Sequence, residues 1–375
     1  VYNHRWPVWA LLGAIPFSAL FALLLVLPSG AEDDRLSTSS SRYPIQPVSM
    51  SGGGAGNDSS NDARFGELEW SVTSPLITST VNLPIVLRYY PWTSPFGFEV
   101  NRRLGGTLGQ RAIELGSQWV RLNRVNWREI QPNEGDPYDW SVLSSFEDEL
   151  RWASTAGFTP IVVVQHSPRW ATINDPYETD CGAIRMDKLG AFAAFMQALV
   201  SRYKVPEFNV HFWELFNEPD VDPTLVAPDA VFGCWGDIDD PFYGGRHYGE
   251  MLKAVTPAIK AADPGAKVLV GGLLLATPHT SEPDRGTPEF FLQGILEAGA
   301  APYFDILAYH SYTWYLGEDI DYDNGPRSGA WQPWGGWTVG KARFLRQTMG
   351  QYGVDKRLFL DETALGCNAE YWPPC

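Results

Sequence analysis

Asn209-Val-His-Phe-Trp-Glu-Leu-Phe-Asn-Glu-Pro-Asp220 is a short apolar run that ends abruptly in an amide, a carboxylate and a proline. Val, Phe, Trp and Leu at this density suit a strand covered on both faces. Pro219 cannot continue a ladder, so pairing stops there. The stretch therefore reads as a buried strand that presents Asn217 and Glu218 at its carboxyl end. A second strand of this kind is Arg357-Leu-Phe-Leu-Asp-Glu-Thr-Ala-Leu365, which delivers Glu362 just before the chain turns. Two carboxyl groups at two strand ends suit acid/base or nucleophilic work on a glycosidic bond, where one group must give a proton and the other must be ionised to attack.

Working outward, helices alternate with apolar strands. Phe96–Val100 is a plausible first strand, followed by a helix over Thr107–Leu115 and a strand over Trp119–Trp127. Next come a helix over Trp140–Ala156, the strand Pro160–Gln165, and a helix carrying Phe192, Phe195, Met196, Leu199 and Tyr203 on one face. Beyond the organising strand, Tyr248, Met251, Leu252, Val255 and Ile259 mark a helix that Pro264-Gly265 ends before the strand Lys267–Val270. A helix over Glu289–Ala298, the strand Phe304–Tyr312, a helix over Val339–Gln351 and the strand at 357–361 complete seven steps, which predict a parallel sheet. A doubly wound open sheet would tolerate seven strands. However, no Gly-rich phosphate loop follows the first one, and the candidate residues fall after many strands rather than at one crevice.

The strand ending in Asn217-Glu218-Pro219 and the later strand ending in Glu362 resemble the glycoside hydrolases of clan A. So do Val120-Arg-Leu-Asn-Arg-Val-Asn-Trp-Arg-Glu-Ile-Gln-Pro132, Gly135 and Tyr138-Asp-Trp140. Families 39, 5 and 42 share parts of the pattern. The resemblance covers about residues 96 to 366. It implies an α/β fold, a (β/α)8 TIM barrel, here truncated before its eighth strand. It also implies a retaining O-glycosyl hydrolase acting on β-linked poly- or oligosaccharides, with Glu218 as acid/base and Glu362 as nucleophile. By the same resemblance Arg121 holds the nucleophile ionised, with Arg124 as its rival on the opposite face of the strand. Asn217 meets the sugar 2-hydroxyl, while His166, His310 and Tyr312 belong with the substrate-binding residues. Trp127, Trp170 and Trp314 are either stacking platforms or core fillers. Asp361 is expected to point away from the pocket.

The formal net charge of -16 argues against nucleic acid or an anionic membrane as partner, because phosphate contacts need clustered Lys and Arg. A neutral carbohydrate fits better, and 16 Trp and 16 Tyr provide faces suited to sugar rings. The histidines are too scattered for a metal site, and no cofactor motif appears.

Trp6–Leu27 is almost wholly apolar. It exceeds the roughly 7–15-residue core of a signal peptide and matches the roughly 20 residues of a spanning helix. It reads as a membrane anchor or a signal peptide over residues 1–30, placing the chain outside the cytoplasm, tethered or secreted. A Ser/Gly-rich linker is expected over 31–64 and the barrel domain over 65–375. Four cysteines in an exported chain suggest disulfides, and among three possible pairings one joins Cys181 to Cys234 and Cys367 to Cys375. Two alternatives remain open on sequence: a catalytically inactive carbohydrate-binding barrel, and a transglycosidase using the same residues.

Overall fold

Strands that are covered on both faces must be apolar on both, and the central strands of this chain meet that condition. In a computed structural model, which describes residues 24–27, 94–100, 104–173, 181–227, 231–275, 286–311 and 329–363, Ile161, Val162, Val163 and Val164 are all fully buried. Strand β1 is Leu24–Leu27 and β2 is Phe96–Glu99; β3 is Trp119–Asn126, β4 Thr159–Gln165, β5 Phe212–Leu215, β6 Lys267–Leu273, β7 Ile306–His310 and β8 Arg357–Glu362. From β2 to β8 each strand pairs in parallel with the next. These seven strands are those expected from the sequence. Among the described residues they supply seven parallel strands of a (β/α)8 arrangement. Across the remaining gap β1 pairs antiparallel with both β2 and β8, so the ring of pairings closes.

Leu24–Leu27 belongs to the run read as an anchor or signal, and the rest of that run lies outside the described residues. Among the described residues no helix is long and apolar enough to cross a membrane. The linker and residues 65–92 also lie outside them.

Helices α1 (Gly106–Glu114), α2 (Trp127–Ile130), α3 (Ser144–Ala156), α4 (Leu189–Tyr203), α5 (Gly245–Ala262), α6 (Glu289–Glu297) and α7 (Trp337–Gln351) fill the steps between strands. Of the boundaries that differ from expectation, two have clear local reasons. The Asn126 side chain accepts from the amides of Arg128 and Glu129, ending β3 one residue early and starting the short helix α2, which was not among the expected elements. Trp140–Leu143 forms a 3-10 turn before α3, capped by Asp139.

Alternation along the strands separates two cores. Outward side chains such as Val120, Val162, Trp213, Val268, Leu307 and Leu358 join the cores of the helices. Inward ones, Ile161, Leu269, Ile306, Ala308 and Phe359, form a plug with Trp119 and Phe212 inside the barrel. Trp119 meets Phe212 and Phe359 edge-on, at 4.9 and 5.6 Å between ring centroids. One step further along several of these strands, the inward positions turn polar. Space there is tight: a Cβ on Gly272 would lie 1.9 Å from His310 Nε2, and one on Gly271 1.8 Å from the Phe216 carbonyl oxygen.

Leu269→Ala, which opens the buried plug, is expected to lower unfolding free energy by about 2–5 kcal/mol in urea titration. Leu115→Ala, at a side chain 74% exposed, is expected to change it by no more than about 0.5 kcal/mol. Equal effects would contradict a packed barrel interior.

Candidate active site

The polar layer above the plug comes from five strands, each offering one inward residue: Glu99 from β2, Arg121 from β3, Glu214 from β5, His310 from β7 and Asp361 from β8. Arg121 is fully buried at the centre. Its Nε donates to Glu214 Oε2 at 2.9 Å and its Nη2 to Glu214 Oε1 at 2.6 Å. Nη2 also donates to Asn217 Oδ1 at 2.7 Å, and Nη1 to Glu362 Oε2 at 2.8 Å. Glu99 Oε2 lies 3.0 Å from Nη1 and Asp361 Oδ2 3.6 Å from Nε. The bidentate fork on Glu214 sets the plane of the guanidinium, leaving Nη1 to face Glu362.

Four carboxyl groups around one guanidinium cannot all ionise cheaply in a buried site. Burial pushes Glu99 up to about 8 and Glu214 up to about 7, in each case against the pull of Arg121. Burial also opposes the Arg121 charge, but Glu214 and Glu99 outweigh it and hold the guanidinium well above its ordinary range.

At the rim, β5 runs into Phe216 and Glu218, both with left-handed backbone (φ 66° and 45°), and this sharp turn aims Glu218 back at the barrel axis. The loop behind it is held closely. Trp235 N donates to the Pro219 carbonyl at 2.8 Å and Gly236 N to the Val221 carbonyl at 3.0 Å. The neighbouring Cys234 is disulfide-bonded to Cys181, one of the pairings open on sequence. Cys367 and Cys375 lie outside the described residues.

Glu218 Oε1 lies 2.8 Å from His310 Nδ1, and Glu362 Oε2 lies 3.4 Å from His310 Nε2. One imidazole thus stands between the two carboxyl groups. Burial raises Glu218, against the lowering effect of His310 and with a raising contribution from Glu362. For His310 burial opposes the charge, but Glu362 and Glu218 together hold the imidazolium well above its usual range. The two carboxyl groups differ in surroundings: Glu362 receives a guanidinium hydrogen bond and its side chain is 19% exposed, whereas that of Glu218 is 8% exposed.

Glu218, Glu362, Arg121, Asn217 and His310 therefore converge. Of the other residues picked from the sequence, Trp127, Trp170 and Arg124 stand elsewhere. Trp127 is a core residue, 1% exposed, packed on Phe192 and Phe195 with its Nε1 donating to Gln131. Trp170 stands edge-on to Trp127 and donates to the Gln131 carbonyl. His166 ends β4 with a left-handed backbone, φ 55°, and its carbonyl accepts from Arg128 N. Arg124 lies on the outer face, its Nε 3.7 Å from Glu149 of α3. Tyr312 and Trp314 lie outside the described residues.

The expectation that Asp361 points away does not hold. Asp361 shares the inward face with Phe359, and its Oδ1 lies 3.4 Å from His310 Nε2. Glu362 reaches the same imidazole because the β7–β8 register shifts after Tyr309, pairing His310 with Glu362. Glu99 and Glu214 were overlooked on sequence. Their signal was a charge two residues beyond an inward-facing residue in a strand with no exposed face, as in Phe212-Trp-Glu214.

Glu214, His310 and Asp361 each bring a potential ligand atom within 4.8 Å of one another. Both oxygens of Glu214 already accept from Arg121, so a metal cation there would face a fixed like charge.

The family model for cellulase, glycosyl hydrolase family 5, matches residues 96–323, more than half of the chain. No curated protein matches. Among solved structures, the chain is similar to a family 39 glycoside hydrolase from Bacteroides cellulosilyticus, at 20% identity and TM-score 0.39, covering 58% of this chain and 38% of that one. It is also similar to a family 30 subfamily 8 xylanase from Clostridium acetobutylicum, at 18% identity and TM-score 0.38, covering 54% of this chain and 45% of that one. A third is an endoglucanase from Pseudomonas stutzeri, at 12% identity and TM-score 0.36, covering 65% and 63%. The chain thus spans less than half the length of the first two. The match of the family model across the strands that carry Arg121, Glu218 and His310 shows that this chain belongs to the cellulase family, glycosyl hydrolase family 5, within clan A of the glycoside hydrolases.

Proposed function

We propose that the chain is a retaining O-glycosyl hydrolase that cleaves β-glycosidic bonds in poly- or oligosaccharides, with Glu218 as acid/base and Glu362 as nucleophile. The observation that carries this reading is the unequal environment of two carboxyl groups on either side of one imidazole. Burial raises Glu218 and favours its protonated form. Glu362 instead accepts a 2.8 Å hydrogen bond from a permanently charged guanidinium, which favours its ionised form. Groups whose surroundings push their protonation apart divide naturally into acid and nucleophile.

In the first step Glu218 gives its proton to the leaving oxygen while Glu362 Oε attacks the anomeric carbon. The glycosidic C–O bond breaks and a glycosyl ester forms. That ester removes the charge of Glu362, which contributes to raising Glu218. The proton affinity of Glu218 consequently falls, so after giving up its proton it stays ionised and is available as the base. In the second step it takes a proton from water, which attacks the anomeric carbon and releases Glu362. The oxygen of Asn217 is committed to Arg121, so its NH2 group, 3.5 Å from Glu218 Oε2, is the part available to a sugar hydroxyl. Retention rather than inversion rests on the clan A pattern. We also read the part of the apolar run Trp6–Leu27 that precedes β1 as a device that places the enzyme outside the cytoplasm, tethered or secreted, on the ground of its composition.

A panel of 2-deoxy-2-fluoro-glycosides with dinitrophenyl leaving groups tests the mechanism and finds the sugar together. One member is expected to add a single glycosyl mass to the peptide containing Glu362. Glu362→Ala is expected to abolish turnover, with azide restoring it and giving a product of inverted configuration. Restoration without a change of anomer would remove Glu362 from the nucleophile role.

For Glu218→Gln, kcat/KM on unactivated substrates is expected to fall by about 10²–10⁴-fold while dinitrophenyl glycosides are largely spared. In the parent enzyme, kcat/KM on unactivated substrates should hold while Glu218 is protonated. It should be lost as pH rises through a value above the usual carboxylate range, since burial raises this group. An alkaline limb that survives unchanged in Glu218→Gln would assign it to another residue.

A further inference from the structure

Lys341 is a buried titratable group that the proposed mechanism leaves idle. It sits early in α7 and is 1% exposed. A charged side chain in such a place costs stability relative to an apolar one of similar length, unless its hydrogens are well used. They are. Nζ donates to the Leu274 carbonyl at 2.6 Å and to the His310 carbonyl at 2.9 Å, and it stands 4.7 Å from the centroid of the Trp337 ring. Burial pulls Lys341 down to about 7, with Asp220 and Glu218 acting in the opposite sense.

The two carbonyls lie at the ends of neighbouring strands. His310 is the last residue of β7, and Leu274 directly follows β6. From Leu274 the contacts run back to the acid. The amides of Leu274 and Leu275 donate to Asp220 Oδ1 and Oδ2, each at 2.8 Å, and Asp220 lies two residues beyond Glu218. From His310 they run there directly, through Nδ1 to Glu218 Oε1. One ammonium group therefore grips two of the routes that hold Glu218. None of its own hydrogen bonds ends on Arg121 or Glu362; the link toward Glu362 is the 3.4 Å approach of His310 Nε2, and Glu362 is held separately by the 2.8 Å hydrogen bond from Arg121.

We infer that Lys341 is a positioning residue for the acid/base: by tying the ends of β6 and β7 together it holds His310 and the Asp220 turn, and through them the Glu218 carboxyl, at the leaving-group side. The inference rests on the assignment of Glu218 as acid/base. It separates proton donation from nucleophilic attack, because only the first depends on where Glu218 sits.

The test compares kcat/KM for dinitrophenyl and phenyl glycosides of whichever sugar labels the parent enzyme, in Lys341→Met and in Asp220→Asn, with thermal melts of each. Because kcat/KM reports steps up to the first glycosyl transfer, it isolates the proton given to the leaving group. The phenyl glycoside is expected to lose at least about tenfold while the dinitrophenyl glycoside stays within about threefold, in both variants. Equal loss on the two substrates in a variant that melts cooperatively would show a merely structural role and overturn the inference, as would no loss at all. Should Lys341→Met fail to fold, Asp220→Asn decides alone, since it breaks the same chain one link away. A parent enzyme that takes no label and cleaves neither glycoside would instead overturn the glycosidase reading, and this inference with it.

Discussion

A single buried guanidinium organises the inside of this barrel. Arg121 has no water to turn to, so its donors must be met by protein groups, and they are met by Glu214, Asn217 and Glu362. Removing one partner from such a site leaves a buried charge uncompensated, at a cost of about 3–5 kcal/mol. The polar layer is consequently fixed as a unit. Glu214 holds the guanidinium plane from below, and the free edge then presents one N–H to Glu362 and one to Asn217. The position of the candidate nucleophile is set by a charge on another strand.

That arrangement also explains why two chemically identical carboxyl groups are unlike. Glu362 stands on the guanidinium side of the imidazole. Glu218 stands on the other, where burial dominates and the imidazolium is its main charged neighbour. The ionisable groups follow one another across the mouth as Arg121, Glu362, His310 and Glu218. A change at any one is felt by the next, because low-dielectric surroundings screen little. In the proposed mechanism, an ester at Glu362 would for this reason lower the proton affinity of Glu218.

The barrel supplies rigidity for this chemistry by stacking its layers. The aromatic and aliphatic plug of Trp119, Phe212, Leu269 and Phe359 fills the interior below and excludes water from under the charges. Glycines at 271 and 272 make room for Phe216 and His310 to approach. At the rim, the left-handed turn of Phe216 and Glu218 is backed by the Trp235 loop, itself joined to the loop after β4 by the Cys181–Cys234 disulfide. Left-handed backbone at a non-glycine residue is costly, and it persists where surroundings determine it from several sides.

Much of this was legible along the chain. Apolar runs ending in Glu218 and Glu362, separated by amphipathic helices, determined seven parallel strands and placed both carboxyl groups at their carboxyl ends. Local periodicity carries that information because side-chain direction repeats every two residues in a strand and every 3.6 in a helix. Alternation likewise put Arg121 and Arg124 on opposite faces. What the chain by itself could not reveal is which inward residues meet. Trp127 had the composition of a sugar platform and became core, because Asn126 caps α2 and directs it toward Phe192 and Phe195. Asp361 joined the site by following the inward face of Phe359, and Glu362 stayed in it because a register shift between β7 and β8 pairs it with His310. Glu99, Glu214, Asp220 and Lys341 acquired their roles only when strands far apart in sequence closed around Arg121 and His310. Their burial, and with it their proton affinities, is a property of that closure: the energy of a charge depends on what surrounds it in space, and neighbours in space are decided by tertiary structure.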